Sequence, residues 1–301
     1  MSAYLHRFGR YLPQRVVDNA ELAARFGKTP EWIESASGIR ERRYAAGDDE
    51  SIVDMAVRAA EDCLQGSRDV GLVIVASGSG AVGFPGPAAA VAHKLGLEST
   101  PAIDLPIASA GSVFGLALAM RLAEAHGNIL LIASEKMSAL LGDDPNTAIL
   151  FGDGAGAALI SREPGPWRLL DAALHSDGQY QADLKFDGSL TMNGLNVILH
   201  ASRKMPAVIQ DVLARNQLTA SQVSAFLVHQ ANLNLLTRVA KTLDVDREKF
   251  FSNIARYGNT SSASMLIAAS EWAETVPPAG PVIFCGFGAG FHWGAVLATG
   301  A

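Results

Sequence analysis

The amino-acid sequence predicts an α/β protein, in which short buried strands alternate with helices. Hydrophobic residues make up 49% of the 301 residues and charged residues 18%, a balance typical of compact globular proteins and not of disordered or fibrous chains. Short runs rich in β-branched residues have the length of buried strands. Segments with helical spacing of apolar residues separate those runs, so we expect a layered sheet that contains parallel strands.

The predicted elements follow one another in a regular order along the chain. The strand-like runs are followed by turn-forming residues, and they are Val70–Ala76, Asn128–Ala133, Ala225–Val228 and Pro281–Phe284. The helical segments are Ile52–Leu64, Pro87–Leu95, Ala110–Ala125, Lys204–Asn216, Asn232–Leu243 and Ser261–Glu274.

Charge and cysteine content exclude several classes of protein. The chain has 24 Lys and Arg against 30 Asp and Glu, a net charge of −6, and no basic run, so we expect no nucleic-acid partner. Two cysteines, Cys63 and Cys285, are too few for a disulfide framework or a zinc site, and we expect no metal. No basic and then apolar leader opens the sequence, which predicts a cytoplasmic location.

One uncharged stretch is long enough to span a bilayer. Residues 275–301 lack Asp, Glu, Lys and Arg, but they contain six glycines and the pair Pro277-Pro278. Such helix-breaking residues suit two short buried strands around a loop, so we expect no membrane span.

Two glycine-rich segments resemble each other and suggest an internal repeat. Residues 150–160 resemble residues 286–297, and each segment follows strands and helices in a similar order. We therefore predict two related halves, residues 1–165 and 166–301. No Pro-rich or charged linker separates them, which predicts that they pack into one body with their sheets back to back.

The first of these segments also matches a dinucleotide-binding pattern. Gly152, Gly154 and Ala157 fit G-x-G-x-x-A, and Asp171 lies where a ribose-binding acid would be expected. That fingerprint requires a helix directly after the glycines, whereas Ala157–Ser161 has the pattern of a strand. We expect these glycines to serve close backbone contacts at a bend instead.

Ser109 lies directly before a very apolar segment that we expect to form a buried helix. The unpaired N–H groups and the dipole at such a helix start favour negative charge, so an acyl oxygen or an activated hydroxyl at Ser109 would be stabilised. Serine is also a common helix N-cap, and for Ser109 taken alone the cap is the better interpretation.

Two further polar residues point to a site shared with Ser109. His229 ends a predicted strand, and Asn259 follows Gly258 at the start of a predicted helix. A lone His is commonly a core residue and an Asn after Gly a turn, but we expect all three residues at strand-to-helix junctions, where open α/β sheets place their sites. A glycine loop at residues 286–290 could aim backbone N–H groups at the same point, which indicates acyl-transfer chemistry.

Several motifs in a fixed order resemble those of one enzyme family. They are Glu31–Ile33, Gly38–Arg42, Phe151–Ala157, His229–Asn232, Gly258–Ser261 and Phe287–Gly294. Over nearly its whole length the sequence resembles the β-ketoacyl-acyl carrier protein synthase III family of thiolase-fold condensing enzymes. The resemblance implies a duplicated αβαβα five-layered sandwich, a homodimer and no permanently bound cofactor.

The same resemblance implies an activity. Enzymes of this family are acyltransferases of fatty acid or polyketide biosynthesis, which take an acyl group from a coenzyme A or carrier-protein thioester onto a cysteine. They then condense it with malonyl-acyl carrier protein as carbon dioxide leaves. Acyl-coenzyme A or acyl carrier protein is therefore the expected partner, with a coenzyme A thioester as substrate.

The resemblance assigns the catalytic roles residue by residue. His229 and Asn259, in the C-terminal half, match the residues that polarise the malonyl thioester carbonyl and stabilise the enolate. Ser109, in the N-terminal half, stands where the family has its nucleophilic cysteine. The backbone N–H groups of Ser109 and Ala289 match the oxyanion hole.

Other residues match the family's substrate contacts. Trp32 matches the aromatic residue that stacks on the adenine of coenzyme A, Phe84 matches the residue that closes the acyl pocket of the partner subunit, and Asn232 is expected at the substrate. We expect a short to medium acyl group, with Leu140, Leu141 and Met192 as further candidate lining residues whose alternative role is core packing.

The sequence departs from the family pattern at positions that recognise the donor. Ala36 and Pro145 stand where the family has arginines near the adenine, and Asn234 replaces the arginine that docks the carrier protein. Arg238 and Lys241 could still supply a local positive patch. The source of the acyl group is therefore open.

The serine at position 109 leaves three interpretations open. Ser109 is native and forms an oxyester with His229 as general base, because a hydroxyl ionises far less readily than a thiol. Alternatively, the natural protein has a cysteine at this position. As a third interpretation, the chain is a catalytically silent partner subunit of a condensing-enzyme complex, although His229 and Asn259 argue against it, since buried polar residues are costly.

Overall fold

The computed structural model describes residues 2–47, 49–80 and 84–300. Its strands are β1 (Ala3–Tyr11), β2 (Val16–Asp18), β3 (Glu41–Arg43), β4 (Leu72–Ala76), β5 (Ala102–Leu105), β6 (Ile129–Lys136), β7 (Asp153–Ser161), β8 (Trp167–Ser176), β9 (Leu184–Phe186), β10 (Leu190–Met192), β11 (Ala225–Val228), β12 (Pro281–Gly288) and β13 (His292–Gly300). Its α-helices are α1 (Asn19–Phe26), α2 (Pro30–Ser37), α3 (Ile52–Leu64), α4 (Pro87–Lys94), α5 (Gly111–His126), α6 (Pro145–Ala148), α7 (Gly194–Arg215), α8 (Leu233–Leu243), α9 (Ile254–Tyr257) and α10 (Ala263–Thr275).

Most predicted elements lie at or near their predicted bounds. Helix α3 and strand β11 begin and end where the sequence predicts. Strand β12 continues past the predicted Phe284 to Gly288, because it pairs with β13 along its whole length. Strand β7 begins directly after Gly152 and contains Gly154, so no helix opens after these glycines, which confirms that this segment is not a dinucleotide-binding turn.

Helix α7 is the largest departure from the predicted elements. It begins at Gly194 instead of Lys204, and the side chain of Asn193 accepts the backbone N–H of Asn196 at 3.4 Å. Its first turns expose Leu195, which is 84% accessible. The start was missed because these turns lack the one-sided apolar pattern on which the prediction depended.

In the described part of the chain, nine strands form one mixed sheet in the order β11-β12-β13-β8-β1-β7-β6-β4-β5. Strand β4 pairs in parallel with β5 and β6, and β11 pairs in parallel with β12. The predicted sheet with parallel strands is therefore confirmed.

The sheet divides into two groups of strands with helices between them. The first group is β1 with β4–β7, and the second is β8 with β11–β13. Helices α5 and α10 contact strands of both groups: β1, β6 and β7 on one side, β12 on the other. Helices α3 and α4 cover the outer face of the first group, and α7, with α8 on it, covers the second. The predicted five layers are thus present, but a helical layer separates the sheets that the sequence places back to back. A short pairing of Ala3–Leu5 with Trp167–Leu169 joins the two groups.

The apolar core follows these layers. The central cluster includes Val113 and Leu116 of α5 and Leu266 of α10, all at most 1% exposed. A second cluster lies under α7 and α8, and a third lies under α3 and α4. Burial of α5 agrees with its apolar sequence and fixes the position of the residues just before it.

The uncharged C-terminal stretch forms β12 and β13 around a turn, as predicted. Within the described residues, no helix combines the length and the apolar character that crossing a bilayer requires.

Candidate active site

Ser109 lies in the connection between β5 and α5, in a backbone conformation that serine rarely adopts. Its φ is +64°, in the left-handed region, and the residue is 7% exposed. Such a conformation costs on the order of 1–3 kcal/mol and is characteristic of functional sites. Ala110, not Ser109, is the residue that precedes α5, and it makes no side-chain cap. Ser109 therefore does not serve as the helix N-cap.

The glycine-rich hairpin packs directly behind Ser109. A Cβ placed on Gly288 would lie 2.0 Å from the carbonyl oxygen of Ala108 and 2.9 Å from Cβ of Ser109. No larger residue fits at Gly288, so the glycine allows β12 to contact the backbone at Ser109. Ala289 and Gly290 lie in the turn that follows, as the glycine loop predicts.

His229 follows β11 and is buried, with 4% of its surface exposed. Its backbone N–H donates to the carbonyl of Cys285 at 2.8 Å, and its ring Nδ1 lies 2.7 Å from the hydroxyl of Ser264. Burial lowers the pKa of His229 to about 4, although the nearby backbone of Ser261 acts in the opposite direction. The imidazole is therefore neutral at pH 7.

Asn259 is held by bonds on both its backbone and its side chain. Its backbone N–H donates to Leu150 at 2.8 Å, and its carbonyl accepts the N–H of Gly152 at 3.0 Å. The side-chain oxygen accepts the N–H of Ser261 at 2.9 Å, which leaves the amide N–H groups for another partner. The predicted strand before Asn259 is wrong: the four-residue helix α9 and Gly258 precede it.

Two cavities meet at Ser109, and they share Phe151 and Leu184 as walls. The first contains about 600 Å³ of empty space up to its mouth and is lined by Ser109, His229, Asn259 and Asn232 together with apolar residues of α7. The second contains about 780 Å³ and is lined by Ser109, Ala289, Ser261 and His292. The hydroxyl of Ser109 therefore lies where both spaces can be reached.

The structure brings most of the predicted site residues together. Ser109, His229, Asn259 and Asn232 line one cavity, and Ala289 lines the other. Among the candidate lining residues, Met192 lies on the first cavity and Leu140 on the second, whereas Leu141 lies on neither.

Two predicted residues lie outside these cavities. Phe84 is 97% exposed and borders a surface groove with Asp104 and Pro106. Trp32 lies on α2, where the ammonium of Lys28 is 4.9 Å from the centre of its ring.

Neither cysteine can replace Ser109 as nucleophile. Cys63 and Cys285 are fully buried and line neither cavity. Burial raises the pKa of the Cys63 thiol to about 12 and raises that of Cys285 as well.

Sequence reasoning missed three residues of the site. Ser261 has φ +47°, is fully buried, and its hydroxyl accepts the backbone N–H of Ser109 at 2.9 Å. Ser264 contacts His229, and His292 lines the second cavity, where its Nδ1 lies 2.7 Å from the hydroxyl of Ser176. The nearest available signal was the serine-rich run directly after Asn259.

The bond to Ser261 bears on the predicted oxyanion hole. Because the N–H of Ser109 already donates to the Ser261 hydroxyl, a substrate oxygen at this position must share that N–H or displace the hydroxyl.

Family comparisons match both parts of the chain. Residues 103–178 match the family described as 3-Oxoacyl-[acyl-carrier-protein (ACP)] synthase III, and residues 213–299 match its C-terminal part. The β-ketoacyl-[acyl-carrier-protein] synthase III of Granulibacter bethesdensis is 36% identical over 312 residues, with 96% of each chain covered.

Solved structures show the same similarity in three dimensions. The 3-oxoacyl-[acyl-carrier-protein] synthase III of Aquifex aeolicus superposes with a TM-score of 0.95 at 32% identity, covering 99% of each chain. The priming β-ketosynthase of the R1128 polyketide biosynthetic pathway has a TM-score of 0.90 at 30% identity, covering 99% of this chain and 96% of its own.

Proposed function

The chain belongs to the 3-oxoacyl-[acyl-carrier-protein] synthase III family of acyl-transferring condensing enzymes, and on that premise we propose Ser109, His229 and Asn259 as its catalytic residues. The reaction is the family's condensation of an acyl-coenzyme A with malonyl-acyl carrier protein, which belongs to fatty acid or polyketide biosynthesis. One observation carries the residue assignment: Ser109 lies at the junction of two cavities, and His229 and Asn259 line one of them.

The two cavities suit the two halves of the reaction. We propose that the second cavity holds the acyl chain, and that the first admits the thioester arm of donor and malonyl substrates in turn. The hydroxyl of Ser109 attacks the thioester carbonyl, the carbon–sulfur bond breaks, and the thiol leaves with a proton. The acyl group then remains on Ser109 as an oxyester at the start of α5.

His229 and Asn259 act on the second substrate. Loss of carbon dioxide from a malonyl thioester leaves negative charge on the thioester oxygen. Hydrogen-bond donors fixed in a buried cavity stabilise that charge without having to reorganise. The free amide of Asn259 and the neutral ring of His229 supply such donors. The resulting carbanion attacks the ester carbonyl and the bond from that carbon to the Ser109 oxygen breaks. The serine oxygen then takes a proton from solvent and becomes a hydroxyl again.

Recognition of the donor differs from the family pattern on α2 and α8. Asn234 stands where the family has a carrier-docking arginine, and its amide donates to the carbonyls of Ser35 at 3.2 Å and Ala36 at 3.3 Å. Asn232 also donates to Ala36, at 2.9 Å. These amide hydrogen bonds attach α2 to α8. We propose coenzyme A thioesters as donors, with Trp32 and its neighbour Lys28 at the adenine.

Mass spectrometry after incubation with acyl-coenzyme A tests the proposal. A covalent adduct that is absent from Ser109→Ala supports Ser109 as the acyl acceptor. No adduct, together with turnover in Ser109→Cys, indicates that the natural nucleophile is cysteine. Neither result, together with stable binding to a second condensing-enzyme chain, would support the silent-subunit alternative. Competition between short and long acyl thioesters then tests the expected short to medium chain.

A further inference from the structure

Ser264 lies between the catalytic imidazole and the backbone that follows it. It is in the first turn of α10, is 2% exposed, and belongs to neither the family motifs quoted above nor the cavity walls. Its hydroxyl oxygen lies 2.7 Å from Nδ1 of His229 and 3.0 Å from the backbone N–H of Gln230.

The direction of these two bonds follows from what each group can do. A backbone N–H can only donate, so the oxygen of Ser264 accepts the bond from Gln230. The hydroxyl still has one hydrogen to donate. Within the described part of the chain its other hydrogen-bond partner is Nδ1 of His229. A buried hydroxyl hydrogen without an acceptor would cost free energy, so the hydroxyl donates to Nδ1.

We propose that Ser264 is a positioning residue that fixes the tautomer of His229, with the ring proton on Nε2. A neutral imidazole carries one N–H, and Nδ1 is occupied as an acceptor. The inference rests on the proposed function and deepens it: His229 presents a donor to the thioester oxygen during decarboxylation.

A second consequence concerns Ser109. In this tautomer the ring has no free lone pair to accept the hydroxyl proton, because Nε2 is protonated and the lone pair of Nδ1 is used. His229 therefore serves decarboxylation and is not the general base for acylation of Ser109. The two half-reactions depend on different groups.

Nuclear magnetic resonance of the ¹⁵N-labelled protein tests the tautomer directly. Long-range correlations to the ring protons distinguish a protonated from an unprotonated ring nitrogen, and the His229→Gln variant identifies which of the seven histidine patterns belongs to His229. We expect Nε2 protonated and Nδ1 unprotonated in the wild type at pH 7. Nδ1 protonated would overturn the proposal, whatever the variants do.

The Ser264→Ala variant tests the role of the hydroxyl. We expect its His229 signals to show a mixture of tautomers, and the rate of malonyl-thioester decarboxylation to fall about 10-fold, as for loss of other orienting partners. Ser264→Thr, which keeps the hydroxyl, should restore the wild-type tautomer. Ser270→Ala, a similarly buried serine of α10 whose hydroxyl binds Arg10 instead, is the matched control.

Acylation of Ser109 gives a readout that a merely structural role would not separate. We expect Ser264→Ala to form the Ser109 adduct at the wild-type rate while decarboxylation is reduced. An equal loss of both half-reactions, with a folded protein, would contradict the proposal. If no variant or wild-type protein forms an adduct, the proposed function fails, but the tautomer of His229 is still measured.

Discussion

Two serines with left-handed backbone conformations meet at the reacting position. Ser109 has φ +64° and Ser261 has φ +47°, and the N–H of Ser109 donates to the hydroxyl of Ser261 at 2.9 Å. Neither conformation is favourable for serine, so the surrounding packing must hold them. Ser261 in turn donates its own N–H to the side-chain oxygen of Asn259, which links the proposed nucleophile to the proposed catalytic amide.

At this scale we expect His229→Ala to abolish malonyl decarboxylation. Removal of the imidazole takes away a buried donor, and the rate should fall about 10²-fold or more. The measurement is release of carbon dioxide from malonyl thioester. His93→Ala, which removes an exposed imidazole on α4, should leave the rate unchanged. Decarboxylation that survives in His229→Ala would remove His229 from the mechanism.

The lowered pKa of His229 predicts a pH-dependent stability. Its pKa is about 4 in the folded protein and near 6.5 when unfolded, so between these values the unfolded chain binds more protons. The free energy of unfolding is therefore unaffected by His229 protonation above pH 6.5. It decreases as pH falls towards 4, by about 3 kcal/mol in all. Urea unfolding from pH 7 to pH 4 should therefore show a steeper loss for wild type than for His229→Gln. Parallel curves would contradict this.

At the scale of elements, the hairpin β12–β13 determines the geometry at Ser109. The glycines of β12 let this strand approach the backbone around Ala108 and α5 more closely than any side chain permits. At the turn of this hairpin, Phe291 exchanges backbone hydrogen bonds of 2.9 and 2.8 Å with Asp177, which follows β8, and these bonds fix the turn that carries Ala289. The glycines of β12 thus reflect close packing against the segment around Ser109.

This packing predicts the effect of a single methyl group. Gly288→Ala should lower the free energy of unfolding by about 1–3 kcal/mol and displace Ser109, because the added Cβ overlaps the carbonyl of Ala108. Denaturant unfolding and adduct formation at Ser109 measure the two effects. Gly178→Ala, whose added Cβ meets nothing within 4 Å, should change stability by less than about 0.5 kcal/mol. Equal behaviour of the two variants would contradict this assignment.

At the scale of the whole molecule, the sheet ends at a strand whose outer edge has no pairing partner among the described residues. Strand β5 is last in the nine-stranded order and exposes 43% of Ile103. Phe84, which is 97% exposed, borders the groove beside this strand. An open edge with exposed apolar residues is available for pairing with another chain. We propose that this edge forms the homodimer expected from the family, with Phe84 reaching the partner.

Light scattering tests this assembly. We expect a particle of twice 31.6 kDa, and a shift to the monomer in Ile103→Asp, because a buried unpaired charge at the interface is costly. Val16→Asp is the matched control, since Val16 has a similar exposure of 44% but lies on β2, in a separate two-stranded sheet. A dimer that persists in Ile103→Asp would place the interface elsewhere.

The division into halves at residue 165 stays a prediction, as does the cytoplasmic location. The connection from β7, which ends at Ser161, to β8, which begins at Trp167, is the point where the chain passes from one group of strands to the other. We propose that the two halves fold as related units around α5 and α10. Helices α5 and α10 each contact strands of both halves, which explains why no linker marks the boundary.

The sequence by itself determined the fold class, the family and the residue types of the chemistry. Apolar periodicity is local, and it defined elements such as Ile52–Leu64 and Ala225–Val228 at their observed bounds. The motif order identified Ser109, His229 and Asn259, because reactive residues at the ends of elements leave a signal in the chain. Where that signal was weak, as in the exposed first turns of α7, the prediction failed.

Only the tertiary structure decided how these residues act. Two of the contacts at the site join residues far apart in the chain: the N–H of Ser109 with the hydroxyl of Ser261, and Ser264 with His229. The left-handed φ of Ser109 is likewise visible only in the structure. Such contacts depend on how two sheets close over α5 and α10, which no local pattern encodes. The hydrogen-bond partner of a buried imidazole determines where its proton lies, so the role that we propose for His229 depends on packing and not on its position in a motif.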